Sequence, residues 1–249
     1  TAYHLGRTAT PERADGVGLR DAFDALVVGA TVRELTDAGL LAECDVVRPA
    51  ERLRGLAVEP AVAWAEHAEG RPTVAFCGRV AESKALAAAI GERAAHIDGE
   101  TPTRERDAIL RRYAEGEIDV LSNVFVLTEG WDSSRAKCCL LARSCGSPGA
   151  YLQMVGRILR PDSSGTRARV IDLAGAVHEH GFPDDERTFT LDGIDPQRGK
   201  KRPWIAQCAA CGYCVLGAKR GLACARCGHP WPPPPPVAIE HVALGAGVV

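Results

Sequence analysis

The sequence predicts an α/β fold in which a parallel β-sheet is covered by helices on both faces, followed by a small cysteine-rich unit. Between residues 73 and 173, short apolar runs alternate with longer segments of helical character. Strands that are apolar throughout, with helices between them, are typical of parallel sheets, because both faces of each strand are buried. Five of the ten cysteines crowd between Cys208 and Cys227, which indicates a separate unit.

Before the sheet, the chain predicts three helices and two extended stretches. Gly39 ends the second helix and Pro60 begins the third, because glycine is favoured just after a helix and proline in its first turn. The predicted elements are a strand end at 5–10, helices at 19–26, 31–38 and 60–69, and a short extended linker at 45–48.

The alternation of strand and helix then becomes regular. The predicted strands are residues 73–77, 94–97, 118–121, 138–142 and 169–173. The predicted helices are residues 81–90, a segment that Thr101 opens and that includes Tyr113, and residues 151–161. The alternation of strand and helix ends after Gly181. A polyproline run at 232–236 cannot continue a domain.

The stretch at 151–161 belongs to a predicted helix that presents an unusual polar face. Ser147 and Pro148 suit its N-cap and first position, and Pro161 stops it. At about 100° per residue, three polar side chains fall within roughly 40° of a common line. They are Gln153, Arg157 and Arg160. A pair of guanidinium groups suits a polyphosphate, although a solvated face or pairing with distant acids is the alternative.

The loop after the third strand of the sheet contains Gly130 and Asp132. A glycine beside an acid at the carboxyl end of a strand lets the backbone approach a ribose while the carboxylate accepts a hydroxyl hydrogen bond. An ordinary acidic turn is the alternative. Because parallel sheets bind ligands at the carboxyl ends of their strands, we expect this loop and the arginine helix to emerge at that edge.

The cysteine-rich unit predicts a zinc ribbon. Two Cys-x-x-Cys-Gly turns are separated by twelve residues, which is the spacing of a four-thiolate zinc site. The predicted ligands are Cys208, Cys211, Cys224 and Cys227, and Cys214 is left out because no glycine follows it. Between Arg198 and Cys227 there are seven basic residues and no acidic ones, so the ribbon either binds nucleic acid or caps the sheet.

The composition is that of a globular protein and does not suggest a membrane-spanning one. The chain has 249 residues, of which 46% are hydrophobic and 25% charged, so it can bury a sizeable core. No apolar run is long enough to cross a bilayer, which predicts a soluble, cytoplasmic protein with no membrane partner. The formal charge of -2 does not exclude a nucleic-acid partner, because a basic patch can lie within a neutral total.

Several motifs resemble those of a known family when they are taken in chain order. They are Thr8-Ala9-Thr10, the strand at 74–77, Asp98-Gly99 with Thr101, Thr128-Glu129-Gly130-Trp131-Asp132 and Gln153-Met154-Val155-Gly156-Arg157-Ile158-Leu159-Arg160. Together these motifs resemble motifs III to VI of superfamily 2 DEAD/DEAH-type helicases. The flanking segments are most similar to the RadD-like branch.

The resemblance implies a RecA-like sheet and a role in ATP hydrolysis for one set of residues. Arg160 would be the arginine finger that places charge on the γ-phosphate, with Arg157 and Gln153 beside it. Gly130 and Asp132 would face the ribose.

A second set of residues would contact nucleic acid or transmit movement. Thr8 and Thr10 would couple hydrolysis to movement between two lobes. Arg79, Thr101 and Thr128 lie where relatives contact the nucleic-acid backbone. The resemblance favours DNA over RNA as the partner.

One departure from the family limits what this chain does alone. Such helicases bind ATP with a Gly-x-x-x-x-Gly-Lys-Ser/Thr loop and Mg²⁺ with an Asp-Glu-x-His sequence, and neither occurs here. The chain therefore predicts the end of a first RecA-like lobe plus the whole second lobe. It would need a missing N-terminal lobe to bind ATP with Mg²⁺, and it would be inactive alone.

These inferences divide the chain into four parts. Residues 1–48 would end the first lobe, 49–195 form the second lobe, 196–232 form the zinc ribbon, and 233–249 form a loose tail. The alternative is a non-catalytic nucleic-acid-binding or regulatory module that retains the helicase lobe but not the ATP-driven activity. A small-molecule enzyme on a Rossmann-like sheet lacks support, because no Gly-x-Gly-x-x-Gly follows a strand.

Overall fold

The computed structural model describes seven parts of the chain. They are residues 4–8, 10–11, 17–49, 58–128, 130–192, 204–217 and 221–231. The polyproline run, the predicted tail at 233–249, Glu129 and most of the predicted basic patch lie outside these residues. Among the described helices, none has the length and apolar character that crossing a bilayer requires.

Six parallel strands form the central sheet. In chain order they are β1 (Cys44–Val47), β2 (Thr73–Cys77), β3 (Ala94–Ile97), β4 (Val120–Asn123), β5 (Cys138–Ala142) and β6 (Ala168–Asp172). Their spatial order is β1-β6-β5-β2-β4-β3. In β2, β5 and β6 every residue is buried. Burial on both faces explains why β2 and β5 are almost wholly apolar, whereas β6 also buries Arg169 and Asp172.

Helices cover both faces of this sheet, as the sequence predicts. They are α1 (Val32–Asp37), α2 (Pro60–His67), α3 (Val80–Ile90), α4 (Thr103–Glu115), α5 (Pro148–Gly156) and α6 (Ala176–His180). Tyr113 of α4 and Met154 of α5 belong to one hydrophobic cluster. Ala63 of α2 and Leu86 of α3 belong to a second cluster. The α/β fold with a parallel sheet between two helical layers is thereby confirmed.

Three predictions for the segment before the sheet are wrong. Residues 19–26 form no helix: the amides of Ala22 and Phe23 close a single turn on the carbonyl of Leu19. Residues 4–8 form no strand. The linker interpretation of 45–48 is also wrong, because β1 pairs with β6 as an edge strand of the sheet. By contrast, α1 is confirmed, and a capping box between Thr31 and Glu34 begins it.

A two-stranded ribbon docks on the β1 edge of the sheet. Its strands are β7 (Ile205–Gln207) and β8 (Cys214–Leu216), which pair antiparallel. Tyr213 forms a bridge with Val47 at the end of β1. The amide of Arg48 donates to the carbonyl of Gly212 at 2.8 Å, and Gln207 Nε2 donates to the carbonyl of Arg48 at 2.9 Å. The ribbon therefore continues the hydrogen bonding of the edge strand.

Candidate functional site

The predicted arginine helix begins where expected and ends early. Ser147 Oγ accepts a hydrogen bond from the amide of Ala150 at 3.2 Å, which confirms the N-cap. The helix α5 ends at Gly156, so the predicted end at Pro161 is wrong. The carbonyl of Leu159 accepts from the amide of Ala42 at 2.7 Å, and this bond to another element replaces a helical one.

Arg160 consequently does not share a helical face with Gln153 and Arg157. Arg157 is the C-cap of α5, and Arg160 lies three residues beyond it in an irregular segment. The periodicity argument holds for Gln153 and Arg157 but is wrong for Arg160. Hydrogen bonds, rather than helical spacing, determine where each guanidinium lies.

Arg157 anchors the loop that contains Gly130 and Asp132. Its half-buried guanidinium donates from Nη1 to the carbonyl of Trp131 and from Nη2 to the carbonyl of Thr128, both at 2.5 Å. The Trp131 ring also packs against Tyr113, with centroids 5.9 Å apart. A charged donor that bridges two carbonyls fixes the backbone between them.

Arg160 remains exposed and pairs with the same loop. Its Nε donates to Asp132 Oδ1 at 2.6 Å, and the two side chains are 55% and 63% exposed. Within the described part of the chain, this is the hydrogen-bond partner of its side chain. An exposed pair contributes about 0–1 kcal/mol, so a ligand can replace either partner at little cost.

The ion pair between Arg160 and Asp132 does not lie at the carboxyl edge of the sheet. Lys137, which directly precedes β5, donates from Nζ to the carbonyl of Arg160 at 2.5 Å and pairs with Asp162 at 3.4 Å. The expectation that Asp132 and Arg160 meet at the carboxyl edge is therefore wrong. Since α5 runs antiparallel to the strands, its end returns the chain to their amino ends.

Of the two N-terminal threonines, Thr10 packs on α5. Thr10 is buried, and its Oγ1 accepts a hydrogen bond from Gln153 Nε2 at 3.4 Å. Thr8 Oγ1 donates to the carbonyl of Thr10 at 3.0 Å. A Cβ on Gly149 would lie 3.3 Å from Thr10 Oγ1, so the glycine permits this close approach. Thr10 thus contacts the helix that carries Gln153, while the exposed Thr8 is bonded to Thr10.

The predicted nucleic-acid residues are dispersed. Arg79 follows β2 at the carboxyl edge, and its side chain is 83% exposed. The hydroxyl of Thr101 is occupied inside its own turn, where it donates to Asp98 Oδ1 at 3.1 Å and accepts from the amide of Asp98 at 2.9 Å. Thr128 contacts Arg157 instead, and its Oγ1 is buried without a partner among the described residues.

The sequence did not reveal the network that supports the Thr101 turn. His96 bonds Asp98 Oδ2 through Nε2 at 3.0 Å and Ser83 Oγ through Nδ1 at 2.7 Å. The hydrogen bond from His96, followed by those from Thr101 and the amide of Glu100, lowers the pKa of Asp98 to about 2 against the effect of desolvation. A histidine two residues before Asp98, on the same side of a strand, was the available signal.

Four cysteines form a candidate metal centre. The sulfur atoms of Cys208, Cys211, Cys224 and Cys227 all lie within 4.8 Å of one another. The separations are 3.6 Å for Cys208–Cys227 and 3.7 Å for Cys211–Cys224. Tetrahedral Zn²⁺ with Zn–S bonds of about 2.3 Å requires sulfur separations of about 3.8 Å, so this donor set fits zinc.

The turns around these sulfur atoms need glycine. Gly212 and Gly228 have φ of 70° and 74°, a conformation that L-residues rarely adopt. Their amides donate to the carbonyls of Cys208 and Cys224 at 2.9 and 2.8 Å. Cys214 lies outside the cluster, as predicted, because it is buried in the core and its Sγ contacts the carbonyl of Gly212.

Comparison with known proteins identifies the family. Residues 52–162 match the family model described as the helicase conserved C-terminal domain. The chain thus contains a domain of the helicase conserved C-terminal family. A solved fragment of an HsdR subunit of a type I restriction enzyme from Vibrio vulnificus YJ016 shares the helicase fold, with a TM-score of 0.57, 24% identity, and coverage of 76% of this chain and 42% of that one.

Two relatives of this helicase domain extend the comparison. A 51.5 kDa protein of a Lactococcus phage (isolate 7-9) is 28% identical over 90% of this chain and 55% of its own. A Schizosaccharomyces pombe protein named as the mitochondrial ATP-dependent helicase irc3 is 30% identical over 77% of this chain and 36% of its own. This chain thus spans about half the length of the first relative and about a third of the second.

Proposed function

We propose that this chain is the C-terminal part of an ATP-dependent nucleic-acid helicase or translocase, and that Arg160 is its arginine finger. The observation that carries the proposal is the contrast between the two arginines. Arg157 is half-buried and bound to two carbonyls, whereas Arg160 is exposed and paired only with an exposed carboxylate among the described residues. One guanidinium builds the site, and the other is available to a ligand.

The chemistry of phosphoryl transfer gives each of these groups a task. As the γ-phosphate leaves, charge develops on its oxygens, and a positioned guanidinium stabilises that charge. Arg160 supplies the guanidinium once nucleotide displaces it from Asp132. Gly130 has φ of 72° and nothing within 4 Å of its Cβ position, so it lets the backbone approach the ribose. The carboxylate of Asp132 then accepts a hydrogen bond from a ribose hydroxyl.

The remaining parts of the ATP site belong to the complete protein. The phosphate-binding lysine loop and the ligands of a Mg²⁺ ion that would neutralise charge on the phosphates would come from an N-terminal RecA-like lobe. The contact between Thr10 and Gln153 links the end of the first lobe to α5. Hydrolysis is coupled to movement between the lobes through this contact.

The nucleic-acid track follows the carboxyl edge of the sheet, with DNA favoured over RNA. Arg79 supplies an exposed charge there. The hydroxyl and the amide of Thr101 both bond Asp98, so Thr101 contributes by ordering its turn. The four-thiolate site binds Zn²⁺ and folds the ribbon. Docking of the ribbon on β1 favours its role as a cap on the sheet.

Replacement of Arg160 in the complete protein tests this proposal. Arg160→Ala is expected to bind ATP with little change but to lower nucleic-acid-stimulated ATP turnover about a thousandfold, which is typical of a lost arginine finger. Turnover is measured as phosphate release at saturating ATP.

A second exposed ion pair provides the matched control. Arg20 and Asp192 pair at 2.5 Å, with side chains 62% and 57% exposed. Arg20→Ala removes a comparable surface pair and is expected to leave turnover unchanged. Normal turnover in Arg160→Ala would overturn the assignment of the finger.

A further inference from the structure

Phe125 is an exposed aromatic side chain in a strained conformation. Its ring follows β4 at the carboxyl edge of the sheet and is 64% exposed. Its backbone has φ of 59°, which is an outlier for a bulky residue. The neighbouring Val124 and Leu127 are buried. Val126 is half-buried, so the other apolar residues of this turn face inward, whereas the largest, Phe125, points into solvent.

A buried amide fixes the turn that presents Phe125. Asn123 is wholly buried; its Nδ2 donates to the carbonyl of Ala75 at 2.9 Å, and its Oδ1 accepts from the amide of Leu127 at 3.2 Å. The strain at Phe125 is therefore maintained by surrounding structure. Strain of this kind concentrates at ligand-binding sites.

An arginine covers one face of the exposed ring. The guanidinium carbon of Arg143 lies 4.1 Å from the Phe125 ring centroid. Arg143 follows β5 and Phe125 follows β4, while β2 lies between these strands. Gly78 follows β2, and a Cβ there would lie 3.7 Å from Arg143 Cβ. The arginine and the ring therefore meet across the carboxyl end of β2, beside Gly78.

The surroundings of the ring carry net positive charge. Arg79 lies beside Gly78, with a side chain that is 83% exposed. Glu82 is the nearby acid, and its ion pair with Arg79 is long at 4.0 Å. One guanidinium thus covers the exposed ring, and a second, that of Arg79, lies in the loop after the neighbouring strand β2.

We propose that Phe125 is a stacking platform for an unpaired base of single-stranded nucleic acid, flanked by phosphate contacts from Arg143 and Arg79. Every base has a π-face, so an exposed ring binds unpaired bases without sequence preference, and neighbouring arginines neutralise the backbone. This proposal rests on the proposed function, since it names the strand that the carboxyl edge receives. A duplex offers no free base face and binds Phe125 poorly.

Affinity for labelled single-stranded oligonucleotides tests the platform in the complete protein. Phe125→Ala is expected to weaken binding of DNA and RNA strands about tenfold, as loss of one stacked base does. Phe125→Trp retains affinity, and binding quenches its fluorescence. Leu222→Ala, which truncates a residue that is 98% exposed, is the control and leaves affinity unchanged.

A second variant separates binding from folding. Phe125→Gly relieves the positive φ, so its thermal midpoint is expected to equal or exceed that of the unaltered protein while affinity falls. Equal oligonucleotide affinity in the unaltered protein and Phe125→Ala would overturn the platform but leave the proposed function intact. Failure of the unaltered protein to bind any oligonucleotide would overturn both.

Discussion

At the scale of single residues, Arg157 and Arg160 show how the same side chain takes two roles. Helical spacing places them on one face, but the structure separates them because the carbonyls of Leu159 and Arg160 bond to Ala42 and Lys137. The cap at Ser147 was predictable, since it depends on local chemistry. The end of the helix was not, because it depends on donors that are distant in sequence.

The anchoring role of Arg157 can be tested by a change that keeps its charge. Lysine has no planar fork and cannot bridge the carbonyls of Thr128 and Trp131 in the same way. Arg157→Lys is expected to lower the free energy of unfolding by about 1–2 kcal/mol, as measured by urea denaturation.

The neighbouring arginine is a control for that substitution. Arg160→Lys alters an exposed ion pair and is expected to change the free energy of unfolding by less than about 0.5 kcal/mol. Equal effects of the two substitutions would show that Arg157 is not the anchor of the loop.

At the scale of elements, the ribbon and the sheet form one hydrogen-bonded unit. A Cβ on Gly212 would lie 2.2 Å from the carbonyl oxygen of Arg48, so this glycine serves both the turn around the sulfur atoms and the docking. Glu69 joins the same interface. Its hydrogen bonds from Arg169, which is on β6, and from Arg71 and Arg226 lower its pKa to about 2 against the effect of desolvation.

Removal of one predicted zinc ligand tests the dependence of the ribbon on metal. Cys211→Ser is expected to lose the bound zinc and to lower the thermal midpoint, because a unit of this size folds with its metal and covers the edge strand β1. Zinc content is measured by a colorimetric chelator after unfolding.

The fifth cysteine of the ribbon is the matched control. Cys214→Ala is expected to keep one zinc per chain, because its sulfur lies outside the four-sulfur cluster. Loss of zinc from Cys214→Ala, or full retention by Cys211→Ser, would contradict the ligand assignment.

At the scale of the whole molecule, the sequence predicts apolar strands better than strands that contain charged or buried polar residues. Apolar runs locate β2, β3 and β5 without error. In β2 and β5 every residue is buried, which demands such runs. The prediction for β4 starts two residues early and excludes Ser122 and Asn123. Both are buried, and hydrogen bonds to Ser83 and to the carbonyl of Ala75 satisfy them. Apolar periodicity does not detect polar residues that are buried in this way.

The edge strand β1 shows a similar limit. It contains Asp45, which pairs with Arg167 at 2.7 Å, and its pairing with β6 depends on residues more than a hundred positions away. A four-residue segment with a charge inside it does not predict a strand. The candidate site shows the same limit. The order of the motifs gives its candidate residues, but tertiary hydrogen bonds determine where those residues lie.

The central claim is that Arg160 contacts the phosphate that is transferred. Its most direct test compares the affinity of the complete protein for ADP and for ADP with aluminium fluoride, which mimics the phosphoryl group in transfer. Arg160→Ala is expected to leave ADP affinity unchanged and to weaken binding of the mimic about a hundredfold or more. Equal affinity of Arg160→Ala and the unaltered protein for the mimic would contradict the claim.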